Sequence, residues 1–138
     1  MAQALLDTDT LSEVIKGRDA LVVQRAQKYL LTHKRFTFSI ITRYEILRGL
    51  KAKEALQQIA VFEDRCRESR ILPLTDTVVV HAAEIYADLH RSGRLISDAD
   101  ILIAATALTH NLALVTENTG HFERITGLRL ESWRSPRG

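Results

Sequence analysis

The chain has 138 residues, 46% apolar and 26% charged, which suits one globular domain with a single core and excludes a disordered or fibrous chain. Its formal charge is only +2, so bulk electrostatics do not by themselves select a nucleic-acid binder. Cys66 is the one cysteine, which rules out an internal disulfide and is consistent with a reducing compartment.

The predicted elements alternate in type. Ala4 to Asp7 reads as a buried strand, and Thr10 to Lys16 as a short helix stopped at Gly17. Asp19 is placed to cap a helix over Ala20 to Thr32. Arg35 to Ile40, rich in β-branched and aromatic residues, predicts a second strand. Thr42 to about Arg67 predicts one long helix or two, with Gly49 marking any bend. Ile71 to Leu74 is a short strand that Pro73 confines to an edge or a frayed end. Thr75 to Arg91 predicts a helix with Val78, Ala82, Ile85 and Leu89 on one face, ended near Gly93. Ser97 to His110 is apolar on nearly every side, the pattern of a buried helix. Leu112 to Thr116 and Leu128 to Glu131 are the last strands. This alternation implies an α/β fold whose mainly parallel sheet is covered by helices on both faces. No linker divides the chain, so a single domain over residues 1–133 is expected, followed by a frayed tail over residues 134–138.

No apolar run approaches the roughly 20 residues that span a bilayer. No basic leader precedes the acidic Asp7. A cytoplasmic chain without a membrane partner is therefore expected.

Carboxylates stand at the element boundaries. Asp7 ends the first strand, Glu45 follows the second, and Asp100 opens the buried helix. The cluster Thr116-Glu117-Asn118 ends the run Leu112 to Val115. In α/β proteins the carboxyl ends of the strands share one ligand-binding edge. Acids gathered there repel one another unless a cation sits among them, and oxygen-only sets suit Mg²⁺ or Mn²⁺. Each acid also has a structural competitor. Thr42-Arg-Tyr-Glu45, Ser97-Asp-Ala-Asp100 and Thr10-Leu-Ser-Glu13 all fit a capping box. Asp7 could cap the helix after it, although Asp9 or Thr10 is better placed to do so. Asp98 and Asp100 lie two apart and do not share a helix face, so one can enter a pocket while the other caps or meets solvent. Asp100 adjoins the apolar run and is assigned to the pocket, with Asp98 in reserve.

If Asp7, Asp9, Glu45, Asp98, Asp100 and Glu117 line one pocket, eleven acids remain against 19 bases and the rest of the surface carries +8. An acidic hole in a basic surface is the charge pattern of a metal-dependent nuclease. The alternative is a salt-bridged, solvated surface. The five histidines form no ligand constellation and there is one Cys, so a zinc site is not expected. Trp133 is read as a packing or interface residue.

The stretches Leu5-Leu-Asp-Thr-Asp-Thr-Leu-Ser12, Ser39-Ile-Ile-Thr-Arg-Tyr-Glu-Ile-Leu-Arg-Gly49, Ser97-Asp-Ala-Asp-Ile-Leu-Ile-Ala-Ala-Thr-Ala-Leu108 and Leu114-Val-Thr-Glu-Asn-Thr-Gly-His-Phe-Glu-Arg-Ile-Thr-Gly127 occur in order. Together they resemble the PIN-domain ribonucleases, specifically the VapC-type toxins of bacterial toxin–antitoxin pairs. The resemblance implies a PIN-like three-layer α/β/α sandwich. By position it puts the family's acids on Asp7, Glu45 and Asp100, and its fourth position on Asn118, where many relatives carry Asp. Asp9 stands where Asn is commoner, so Asp9 or Glu117 could restore the missing charge. Thr116 resembles the family's hydroxyl near the site. Asp7, Glu45 and Asp100 would hold Mg²⁺ or Mn²⁺ for endoribonuclease activity on RNA, often tRNA or rRNA. A small VapB-type antitoxin would block the pocket, and a homodimer is usual.

Two other functions compete. Asp7-Thr-Asp-Thr-Leu11 resembles the opening motif of haloacid-dehalogenase-like phosphatases, but the acidic pair precedes the hydroxyl-ended strand and no lysine lies beyond Lys53. A non-catalytic binding module would use the acids only as helix caps.

Overall fold

The structure, a computed structural model, describes residues 1–134. Apart from Arg134, the expected tail lies outside the described residues. Strands β1 (Ala4–Leu6), β2 (Thr37–Ser39) and β4 (Ala113–Val115) are buried along their whole length. Strands of this kind need helices on both faces of the sheet.

Two cores result from the alternation of side chains along the strands. Leu5 and Leu114 face α5 (Asp76–Arg91) and α6 (Asp98–Thr109), where Val78, Ala82, Ile85 and Leu89 form the predicted buried stripe. Ala4, Leu6, Ala113 and Val115 face the other way, toward Leu11, Val22, Tyr29, Phe62 and Trp133. Those residues come from α1 (Thr8–Lys16), α2 (Ala20–His33), α4 (Leu56–Arg67) and the end of the described chain. Trp133 is 1% exposed, which makes it a packing residue as expected. All the strand pairings are parallel, in the order β3-β2-β1-β4-β5, with β3 at Arg70–Leu72 and β5 at Leu130–Glu131. Pro73 follows the edge strand β3, where a missing N–H costs no ladder bond.

Several boundaries differ from expectation for local reasons. Helix α1 starts at Thr8 because Asp7 is its cap; neither Asp9 nor Thr10 fills that role. Its other end is as read: Gly17 takes the left-handed conformation at φ 65°. Helix α3 (Ile40–Ala52) starts inside the predicted second strand, because Ser39 both ends β2 and caps the helix through Ile41 N–H. The long helical stretch is two helices. The chain breaks after Ala52, where Glu54 adopts φ 54°, while Gly49 stays inside α3. A four-residue helix α7 (Thr119–Phe122) had no sequence signature. Among the described residues, no helix is long and apolar enough to cross a membrane.

Tyr29 ties α2 to the start of β1. The Ala4 N–H donates to the Tyr29 hydroxyl at 3.1 Å, and that hydroxyl lies 3.3 Å from the Ala4 carbonyl. Tyr29→Phe should strand a buried amide and lower the unfolding free energy by about 1–3 kcal/mol in urea titrations. An unchanged urea midpoint would remove this role from the hydroxyl.

Candidate active site

The chain leaves β1 toward β2 and β3, then returns to β4 on the opposite side of β1. Strand order therefore reverses between β1 and β4, the place where α/β sheets open a crevice. Register sets Leu6 opposite Val115, so Asp7 and Thr116 emerge side by side. The Asp7 N–H extends the ladder by donating to Val115 O at 3.0 Å. A cleft of about 140 Å³ opens there, lined by Asp7, Thr8, Asp9, Glu45, Asp100, Asn118 and Phe122.

Asp7 forms the buried floor and is 5% exposed. Its Oδ1 accepts from the Thr10 N–H at 2.8 Å, which caps α1. Burial pushes its carboxyl up to about 6, although hydrogen bonds from Thr116 and Thr10 pull the other way. Glu45 comes from the second turn of α3. The Thr8 hydroxyl donates to its Oε1 at 2.6 Å and lies 3.1 Å from the Thr42 hydroxyl, a polar seam between α1 and α3. Asp100 stands in the first turn of α6, where the Ser97 hydroxyl accepts from its N–H at 3.2 Å. Burial raises the Asp100 carboxyl above its usual range, the Glu45 charge raises it further, and His121 opposes both.

Thr116 is fully buried and receives the Asn118 N–H on its hydroxyl at 2.9 Å. Asn118 reaches the cleft and meets His121, with Nδ2 and Nδ1 2.8 Å apart. The same His121 nitrogen is 3.9 Å from Asp100 Oδ2. Asp9 is exposed and lies on the cleft lining.

Two acids expected in the pocket lie elsewhere. Asp98 is exposed and outside the lining, because the first residue of α6 projects away from the face that carries Asp100. Glu117 cannot restore charge to the cleft. Its carboxylate accepts from the Ser132 hydroxyl at 2.7 Å and from the Trp133 and Arg134 N–H groups at 3.1 Å. With four acids in the lining, thirteen remain against 19 bases, so the outer surface carries +6 rather than +8. Much of that basic charge is paired, as in Arg43 with Glu63, Arg67 with Asp64 and Arg91 with Asp88. Two of the three capping boxes dissolve, since Thr42, Glu45, Thr10 and Glu13 all sit inside helices that begin earlier. Only Ser97 caps as read.

Three lining or neighbouring residues were not anticipated: Thr8, Phe122 and His121. Thr8 follows Asp7 and carries no motif of its own. The i, i+3 spacing of Asn118 and His121 was the available signal, but it needs α7 to exist.

Among the described residues, no three Asp, Glu, His or Cys side chains converge closely enough to enclose an ion unaided. The donor chemistry nevertheless fits a hard cation. Asp7 and Asp100 are held in their raised state by burial, and Asp100 also by Glu45, an arrangement that a positive charge relieves. Mg²⁺ is ordinarily held by one or two carboxylates and keeps several waters, so a cleft of this openness suits it. No lysine is among the residues that line the cleft, where the phosphatase motif calls for one.

A PIN-domain family model matches residues 4–128, nearly the whole described chain. The chain belongs to the PIN-domain family. Its relatives carry VapC names. It is 32% identical to the tRNA(fMet)-specific endonuclease VapC of Shigella flexneri and 34% identical to ribonuclease VapC2 of Haemophilus influenzae. Each match covers 96% of this chain and 99% of the relative. The solved DNA-bound VapBC of Salmonella typhimurium superposes with a TM-score of 0.85 at 31% identity, over 96% of this chain and 99% of that one. The three-layer α/β/α sandwich and the VapC resemblance read from the four motifs are both borne out.

Two predictions concern the carboxylates of Asp7 and Glu117 in this PIN domain. Between the ordinary Asp7 value of 3.8 and its raised value of about 6, the folded state binds more protons than the unfolded state. Stability should therefore fall as pH rises through that window, with a cost of up to about 3 kcal/mol above it. Asp7→Asn keeps the capping oxygen and loses the charge. In EDTA it should unfold at higher urea than wild type near neutral pH and at nearly the same urea near pH ~4. Equal urea midpoints at both pH values would contradict this. Glu117→Ala should cost about 2–3 kcal/mol by unseating three donors, a loss read from the melting curve.

Proposed function

We propose that the chain is a divalent-metal-dependent endoribonuclease toxin of the VapC type, hydrolysing RNA in the cleft between β1 and β4. The carrying observation is the gathering of Asp7, Asp9, Glu45 and Asp100 in one cleft at the switch point of a PIN domain. Asp7 is raised by burial and by Asp9, and Asp100 by burial, Glu45 and Asp9. Relatives named as ribonucleases and as a tRNA endonuclease support RNA as substrate, with tRNA or rRNA the expected class.

In this reading Asp7, Glu45 and Asp100 hold Mg²⁺ or Mn²⁺, and Asn118 completes the wall where a fourth acid is usual. A bound ion supplies Lewis-acid stabilisation of charge on the scissile phosphate and lowers the pKa of water. The chain's own groups position these reactants. Thr8 fixes the Glu45 carboxylate, Thr116 and the Thr10 N–H fix Asp7, and Ser97 fixes the helix start that carries Asp100. A cleft carboxylate takes the proton of the attacking water. Asp9, on the lining, adds negative charge that Asn118 lacks.

A VapB-type antitoxin is the proposed partner, supported by the VapBC complexes among the structural neighbours. A basic side chain from it would satisfy the same acids that otherwise call for a cation. The toxin is expected to act in the cytoplasm as a homodimer.

Asp7→Asn and Asp100→Asn should each reduce RNA cleavage by at least about a hundredfold, as loss of a ligand that tunes a metal site does, with circular dichroism unchanged. EDTA should stop wild-type cleavage, and Mg²⁺ or Mn²⁺ should restore it. Titration calorimetry that finds no metal binding at millimolar concentration would favour a non-catalytic module instead, and full cleavage by both variants would refute the assignment of these two acids.

A further inference from the structure

The geometry points to a base-stacking subsite beside the cleft, built from Tyr44 and Arg48, that takes an unpaired nucleotide of the RNA. This rests on the ribonuclease reading and narrows its substrate to single-stranded or looped segments.

Six of the eight aromatic residues are spent on the core: Tyr29, Phe36, Phe38, Phe62, Phe122 and Trp133 are each at most 1% exposed. Tyr44 and Tyr86 are the two left at the surface, at 58% and 44%. Tyr86 lies on α5 and stacks on His90. Tyr44 lies on α3 directly before Glu45, so the helix that delivers a carboxylate to the cleft also carries an exposed aromatic ring.

Arg48 joins the two. It is four residues after Tyr44 and three after Glu45, and both spacings bring side chains together on a helix. Its guanidinium carbon is 5.1 Å from the Tyr44 ring centroid, and Nη2 is 3.8 Å from Glu45 Oε2. One cation thus reaches from the wall of the acidic cleft to the ring. Arg48 is itself 58% exposed, and an exposed ion pair at that distance is weak. Passing the guanidinium from Glu45 to an RNA phosphate therefore costs little, and Arg is suited to gripping phosphate with two parallel hydrogen bonds. The same transfer frees Glu45 for the cation of the cleft.

RNA chemistry matches this order of groups. Single-stranded segments are recognised by bases splayed onto aromatic rings and guanidinium planes, with basic groups on the backbone. Bases inside an A-form duplex are already stacked and cannot reach such a ring.

The test is steady-state cleavage by the full chain with Mg²⁺, on a short mixed-sequence single-stranded RNA and on the same strand in a perfect duplex. Tyr44→Ala should raise KM for the single strand about tenfold, the size expected for loss of one stacked base, with kcat changed less than KM. Tyr44→Phe should restore KM. Arg48→Ala should flatten the log–log salt dependence of kcat/KM by about 0.7, one phosphate contact on a single strand. Wild-type KM in Tyr44→Ala would overturn the subsite. A change of oligomeric mass in light scattering at unchanged KM would also overturn it and assign the ring to a subunit contact. If the wild-type chain cleaves neither these RNAs nor total tRNA and rRNA, the ribonuclease reading falls as well.

Discussion

The arrangement depends on one buried carboxylate being forced to hold several positions at once. Asp7 continues the β1–β4 ladder through its backbone N–H, caps α1 through its side chain, and forms the floor of the cleft. Each role uses a different atom, so the residue is fixed in three directions. The cost is a charge in a desolvated place, which is why its pKa rises. On the proposed function the charge is the means of binding a cation, and that is a use for which a fold tolerates a local loss of stability.

Around Asp7 the polar groups are hydroxyls. Thr8, Thr42, Thr116 and Ser97 orient acids or cap helices without adding charge. Hydroxyls suit this task because they both donate and accept, and they leave the net negative field of the cleft intact. The neighbouring basic side chains, Arg48 and His121, lie at its margin. The negative field of the cleft is thus kept, while each carboxylate still has a defined direction.

The sequence was most legible where burial dictates pattern. Uninterrupted apolar runs marked β1 and β4, and a 3.6-residue stripe marked the buried face of α5. Asp7, Glu45 and Asp100 were legible because strand ends and helix starts coincide at one sheet edge, whereas Asn118 was singled out of its polar cluster only by the family resemblance. Errors came where local rules lost to tertiary context. Ser39 captured the start of α3, which turned Thr42 and Glu45 from a capping pair into a seam against α1. Asp98 was ambiguous because two acids in one first turn, two residues apart, differ only in the face they present. Glu117 could not be placed because its donors lie 15 to 17 residues later in the chain. His121 was hidden for a related reason: its relation to Asp100 exists only once α6 and α7 have met.

The Glu117 clamp bears on how the cleft is held. Trp133 fills the core against Tyr29 and Phe36, and Arg134 reaches back to Glu13 and Asp19. The turn bearing Thr116 and Asn118 is therefore held in place by groups made more than a dozen residues afterwards. The floor of the cleft is thus set within the first strand and helix, whereas its last wall is anchored by the far end of the described chain.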